Sequence, residues 1–138
     1  TDASQPDGYR PHFRQSPFTD PWEPLFSRVS DGEVSIGLFL SEAHCNSRGL
    51  VHGGLIASLA DNAMGISCGQ VLRKAGREIS GLVTVNLSVD YLGSAKLGQW
   101  MATHTEVVKA GGSLCFTSAI IKVDDVAIAR ANATFKVV

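Results

Sequence analysis

The strongest constraint on the fold is a change of period. From Gly53 to about Lys74, the apolar residues Leu55, Ile56, Leu59, Ala63, Val71 and Leu72 recur at helical spacing. Arg73 and Lys74 stand where the negative end of a helix dipole would lie, and Gly76 is a natural C-terminal stop. After that stretch the chain alternates with a period of two. Val83, Val85, Leu87, Val89 and Tyr91 point one way; Thr84, Asn86, Ser88 and Asp90 point the other. Three more strands are expected at about Gln99–Val108, Ser113–Val123 and Val126–Val138, punctuated by Gly98, Gly111-Gly112 and Asp124-Asp125. Before the helix, Asp31-Gly32 is a hairpin turn signal between strands at about Phe26–Ser30 and Glu33–Leu40. One long helix among mostly antiparallel strands is an α+β arrangement, and the economical form wraps a curved sheet around that helix. The small residues Ala57, Ala60 and Ala63 let helix and sheet approach closely.

A chain of 138 residues, 44% apolar and 18% charged, suits one globular core and not two. Residues 1–24 hold all five prolines and read as an irregular arm, with a turn of helix near Trp22–Phe26. Because the arm carries Phe13, Phe18 and Trp22, it is expected to lie against the body, residues 25–138, or against a neighbouring subunit. The net charge of −1, without a basic stripe, argues against nucleic-acid binding. No apolar run approaches the ~18 residues of a membrane span, and no secretory leader is recognisable. Cys45, Cys68 and Cys115 are odd in number and scattered, which fits a reducing cytoplasm, and no metal-ligand spacing is present.

Chemistry concentrates in Asn46-Ser47-Arg48-Gly49-Leu50-Val51-His52-Gly53-Gly54, followed by Asp61. Glycines at a helix N-terminus let a ligand oxygen reach the unpaired N–H groups of the first turn, an arrangement suited to an oxyanion. Asp61 lies two turns further on, inside an apolar helix, where a carboxylate is costly unless hydrogen-bonded, paired or functional. Gly53 and Asp61 are eight residues apart, roughly 12 Å along the axis. An attacking group must come within ~3–3.5 Å of the carbonyl carbon. One straight helix cannot supply both groups, whereas two antiparallel copies can. An active site here is therefore expected to be shared across at least a dimer.

These residues, with Val83-Thr84-Val85 and Tyr91-Leu92-Gly93-Ser94-Ala95-Lys96-Leu97-Gly98, resemble the PaaI-type hotdog thioesterases over about residues 25–138. The resemblance implies a hotdog fold and hydrolysis of an acyl-CoA thioester without a cofactor or metal. It also implies homodimers that pair as tetramers in some relatives. Gly53 N–H would polarise the thioester carbonyl and Asp61 of the other subunit would act as base or nucleophile. Asn46 would hold the lytic water or the thioester, and His52 would support the carbonyl geometry. A strand hydroxyl that orients the acid falls on Thr84. Unbroken alternation puts Thr84 on the face opposite Val83 and Val85, so it would reach an aspartate only near the subunit junction or a strand edge. CoA contacts are expected from Gly54, Arg48, Lys109, Gly111, Gly112 and Ser113, and pocket depth from Met64, Cys68 and Leu92.

Blander readings stand beside these. Asp61 could simply be satisfied by a neighbouring hydroxyl, His52 could brace the turn, and Gly111-Gly112 could be only a hairpin turn. His44 and His104 are expected to carry no chemistry. The absence of a G-x-S-x-G elbow argues against a serine hydrolase. A non-catalytic acyl-CoA-binding hotdog protein and a hotdog hydratase remain as rival functions.

Overall fold

The computed structural model describes residues 4–138. Its elements are strands β1 (Arg10–Pro11), β2 (Phe26–Ser30) and β3 (Glu33–Phe39), helix α1 (Gly53–Lys74), and strands β4 (Leu82–Tyr91), β5 (Trp100–Ala110), β6 (Leu114–Val123) and β7 (Val126–Val137). Short 3-10 turns occur at Asp20–Trp22 and Glu42–His44. The seven strands form one antiparallel sheet in the order β1-β2-β3-β5-β6-β7-β4, with α1 against one face. This is the hotdog arrangement. Among the described residues, no helix is long and apolar enough to cross a membrane.

Local chemistry explains the boundaries. Gly32, at φ +81°, turns the β2–β3 hairpin. His52 caps α1 at its start, and Gly76, at φ +85°, ends it while Arg77 N–H bonds to Leu72 O. The helix buries Leu55, Ile56, Leu59, Ala60, Ala63, Met64, Cys68 and Leu72 against the sheet. Ala60 and Ala63 are wholly buried, as close helix–sheet contact requires.

Strand β4 departs from strict alternation. The register pairs Thr84 with Phe135, then skips Val85 and resumes with Asn86 opposite Thr134. Directly opposed residues share a face, so Thr84 lies on the side of buried Phe135, together with Leu87 opposite Ala133 and Val89 opposite Ala131. Val85 is the extra residue of a β-bulge. One inserted residue exchanges the faces on its two sides, which turns Thr84 towards the helix. The placement expected from unbroken alternation is therefore corrected: Val83 pairs with Lys136 on the outer face, and Thr84 faces inward.

The arm also differs from expectation. Arg10–Pro11 adds a seventh strand beside β2, and the helical turn falls at Asp20–Trp22, earlier than expected. Phe13 and Phe18 remain exposed, whereas Tyr9, His12 and Thr19 are buried. Ser35 donates to Thr103 O at 2.5 Å, so the Tyr9 hydroxyl, 2.6 Å from Ser35 Oγ, is the donor to it. The Tyr9 ring meets Trp100 edge-on, and Phe26 and Phe39 pack on the same indole. His44 ties the arm to the loop before α1. Its Nδ1 accepts from Ser41 N–H and its Nε2 donates to Trp22 O at 2.8 Å.

Gly37 lies under that aromatic cluster, and a Cβ there would overlap the Trp100 ring. Gly37→Ala is expected to destabilise the fold by about 1–3 kcal/mol through overpacking. Thermal unfolding should show a clear drop in Tm, and an unchanged Tm would mean that Trp100 moves freely.

Candidate active site

The segment before α1 is folded into a tight, hydrogen-bonded turn. Asn46 Oδ1 accepts from the N–H groups of Arg48 (2.9 Å) and Leu50 (3.2 Å), and Gly49, at φ +74°, closes the turn. The Ala95–Gly98 stretch braces it from outside: Val51 N–H bonds to Ala95 O, and Leu97 N–H to Gly49 O. Asn46 thus uses its carbonyl oxygen to shape the loop, leaving its amide N–H groups for any ligand. Arg48 stands exposed at the tip.

His52 is the helix N-cap. Its Nδ1 accepts the Gly54 N–H at 2.9 Å, which places the ring proton on Nε2. Leu55 N–H bonds to His52 O at 3.0 Å. Of the first three amides of α1, only that of Gly53 has no partner among the described residues. The Gly54 amide is already taken, so Gly54 can offer a ligand only its Cβ-free surface. Tyr91, from the end of β4, donates its hydroxyl to Gly53 O at 2.7 Å. A Cβ on Gly53 would come within 3.2–3.3 Å of that ring. A side chain at Gly53 would press on the Tyr91 ring, and the Tyr91 hydroxyl anchors the Gly53–Gly54 peptide, next to the one that carries the free N–H. The sequence puts Tyr91 on the apolar face of its strand and within the family motif, but its contact with Gly53 emerges only from the register that sets it opposite Ala129.

Asp61 is half-buried, and Thr84 Oγ1 of the same chain donates to its Oδ1 at 2.7 Å. The bulge at Val85 makes this contact possible. The second carboxylate oxygen has no protein partner among the described residues. Because α1 is continuous from Gly53 to Lys74, the free amide and the carboxylate of one chain stay about 12 Å apart along the axis.

Two clefts meet at Asp61. One, of about 150 Å³, follows the helix face of Asp61, Gly65, Gly69 and Arg73, with Leu82, Thr84 and Phe135 opposite and Arg14 of the arm at its rim. The other, of about 320 Å³, is bounded by Phe18, Ala57, Ser58 and Leu87. Met64 and Cys68, expected to set pocket depth, are fully buried on the sheet-facing side of α1 and line neither cleft, whereas Gly65 and Gly69 line the first. Leu92 is exposed and lines neither cleft.

Lys109, Gly111, Gly112 and Ser113 lie at the other end of the molecule from Gly53. Arg77, just beyond the helix, donates to Gly111 O (2.6 Å) and Gly112 O (2.7 Å), fixing that turn near the C-terminus of α1. Within one chain it is separated from Asn46, Arg48 and Gly53 by the helix length, about 30 Å. Among the described residues, no three His, Cys, Asp or Glu side chains converge as metal ligands. Burial, with neighbouring Cys115 adding to it, pushes the Cys68 thiol up to about 12, which leaves it un-ionised and a poor nucleophile.

A sequence model of the thioesterase superfamily matches residues 48–129, the span from Arg48 into β7. A Pseudomonas aeruginosa protein described as an esterase is 34% identical over 131 residues, covering 94% of this chain and 95% of that protein. Human acyl-coenzyme A thioesterase 13 is 36% identical over 92 residues, 65% of this chain and 61% of that protein. Among solved structures, the Escherichia coli PaaI protein of the phenylacetic acid degradation operon superposes with a TM-score of 0.68 at 18% identity, covering 78% of this chain and 73% of that one. The model match over more than half of the chain, which spans Gly53, Asp61 and Thr84, shows that this chain belongs to the thioesterase superfamily.

Proposed function

We propose that the protein hydrolyses an acyl-CoA thioester to a free acid and CoA in two equivalent sites shared by a homodimer. The observation that carries this reading is the separation, on one rigid helix, of an unpartnered amide at Gly53 from a Thr84-bound carboxylate at Asp61. Antiparallel packing of two such helices brings the Asp61 of one copy to the Gly53 of the other. The name of the human relative, an acyl-coenzyme A thioesterase, supports the substrate class.

In this mechanism the thioester carbonyl oxygen accepts the Gly53 N–H, backed by the positive end of the α1 dipole. Asp61 either deprotonates a water that attacks the carbonyl carbon or attacks it directly, forming a mixed anhydride that water opens. Thr84 fixes one carboxylate oxygen so that the free one faces the substrate. The departing thiolate leaves as CoA and takes up a proton. Asn46 contributes its amide N–H groups to the water or the thioester, while His52 maintains the cap that keeps Gly53 N–H unpaired. Arg48 of one copy and Lys109, Gly111, Gly112 and Ser113 of the other border the CoA nucleotide. Lysine suits phosphate as a point charge.

Strand β4 supports the dimer. Its outer edge is unpaired over ten residues and exposes Val83, Val85, Leu87 and Tyr91. A long apolar edge strand is ordinarily covered, and a second copy of the same edge would cover it. Pairs of such dimers would form a tetramer. The rival reading, a protein that binds acyl-CoA without cleaving it, has no need of the Thr84–Asp61 bond.

Asp61→Asn should lower kcat by about 100-fold or more while leaving Tm nearly unchanged. Thiol release from acyl-CoA, followed with Ellman's reagent, measures it, and near-normal turnover would remove Asp61 from the reaction. Subunit sharing has its own test. Gly53→Pro deletes the oxyanion donor at a helix position whose backbone tolerates proline, and because its ring presses on Tyr91 the variant's Tm and dimerisation are measured first. Unfolded together and refolded, inactive Asp61→Asn and Gly53→Pro chains should regain about a quarter of wild-type activity, because each mixed dimer holds one intact site. No recovery from a properly mixed dimer population would place both groups in the same chain's site and defeat the shared mechanism.

A further inference from the structure

The 150 Å³ cleft that leaves Asp61 along α1 is lined by charged side chains of both signs. Asp61 is the single carboxylate in its lining, and two guanidinium groups join it. Arg73 folds back over Gly69, its Nη1 2.9 Å from where a Cβ on that glycine would stand. Arg14 reaches in from the arm and also lines a 60 Å³ hollow beneath it. Neither guanidinium has an ion-pair or hydrogen-bond partner among the described residues, where the arginine bonds are those of Arg77 and Arg130.

The hollow has an unmet polar group of its own. His12 lines it at 8% exposure, and its Nδ1 has no partner. Burial lowers the His12 pKa; Glu23 opposes this and Arg14 adds to it. His12 therefore stays neutral, and the charged groups of the arm that act on it are Glu23 and Arg14. Arg14 is exposed at the rim of the cleft, where its guanidinium can pair with a carboxylate in a fork geometry.

Resting on the reading of Asp61 as the site of thioester hydrolysis, we propose that the preferred acyl group carries a second, distal carboxylate and that Arg14 binds it. The substrate class is an ω-carboxyacyl thioester of about four to six carbons. Arg14 faces Asn62 and Ile66, which lie at most about 7 Å beyond Asp61 along the axis. The cleft is also about the size of cavities that accept a benzene-sized group. Both limits exclude long chains. Arg14 is then a specificity-determining residue supplied by the arm, and Arg73 provides a second positive charge further along.

Adipyl-CoA and hexanoyl-CoA have equal acyl carbon number and differ in the terminal carboxylate. The wild-type protein is expected to favour adipyl-CoA by at least tenfold in kcat/KM. Arg14→Met should lose that advantage while retaining its rate on hexanoyl-CoA. Equal wild-type rates on the two substrates would overturn the proposal. So would an Arg14→Met loss equal for both, which would assign Arg14 to a CoA phosphate or to Asp61. A binding measurement on the wild-type chain separates this from the hydrolase reading and does not depend on how the variant folds. By calorimetry, the uncleavable 5-carboxypentyl thioether of CoA should bind at least tenfold tighter than the hexyl thioether. Equal affinities overturn the inference even if hydrolysis is confirmed; a tighter carboxypentyl ligand without turnover of any acyl-CoA upholds it while the hydrolase reading fails.

Discussion

The hydrogen-bond ladder of α1 governs the functional arrangement. A helix unbroken from Gly53 to Lys74 fixes the distance between its first amide and any side chain further along. His52 takes the Gly54 N–H and Leu55 bonds back to the His52 carbonyl, so one donor, that of Gly53, is left pointing outward. A carboxylate eight residues later cannot reach the same carbonyl from the same helix. In the proposed mechanism, the backbone that creates the donor therefore calls for a second copy to complete the site.

The other component depends on a defect in the sheet. Without the extra residue at Val85, Thr84 would face away from α1 and Asp61 would lack its hydroxyl partner. The bulge lies on the edge strand, where disruption of the ladder costs least and where a side chain can be re-aimed without disturbing the core. The same strand ends in Tyr91, whose hydroxyl holds the Gly53 peptide. Strand β4 therefore holds the Asp61 carboxylate near one end and the Gly53 carbonyl, beside the free amide, at the other.

The arm gives the site its individuality. Tyr9 and His44 fasten it to the sheet and to the loop before α1, and that path brings Arg14 to the cleft beside Asp61 and His12 to the smaller hollow next to it. The family match begins at Arg48, so these residues lie outside the part of the chain that the superfamily model describes.

Much of the fold was legible in the sequence because period is a local property. Helix limits at Gly53 and Lys74, the Asp31-Gly32 hairpin and strands β5 to β7 follow from residue spacing and turn chemistry within a few positions of each boundary. The motif around Asn46–Gly54 and Asp61 was equally readable, because glycines, a capping side chain and a mid-helix acid are visible in one dimension. Which amide stays free, which face Thr84 occupies and where Arg14 ends up were not. Each depends on pairing between distant segments: the register of β4 on β7, the Tyr91–Gly53 contact and the route of the arm. A one-residue bulge reverses a strand's faces without changing its composition, and an arm's destination is set by the surface it meets. The sequence by itself determined the helix, the strands and the reactive residue types; only tertiary structure decided which of those residues face one another, because hydrogen-bond partners are chosen in space.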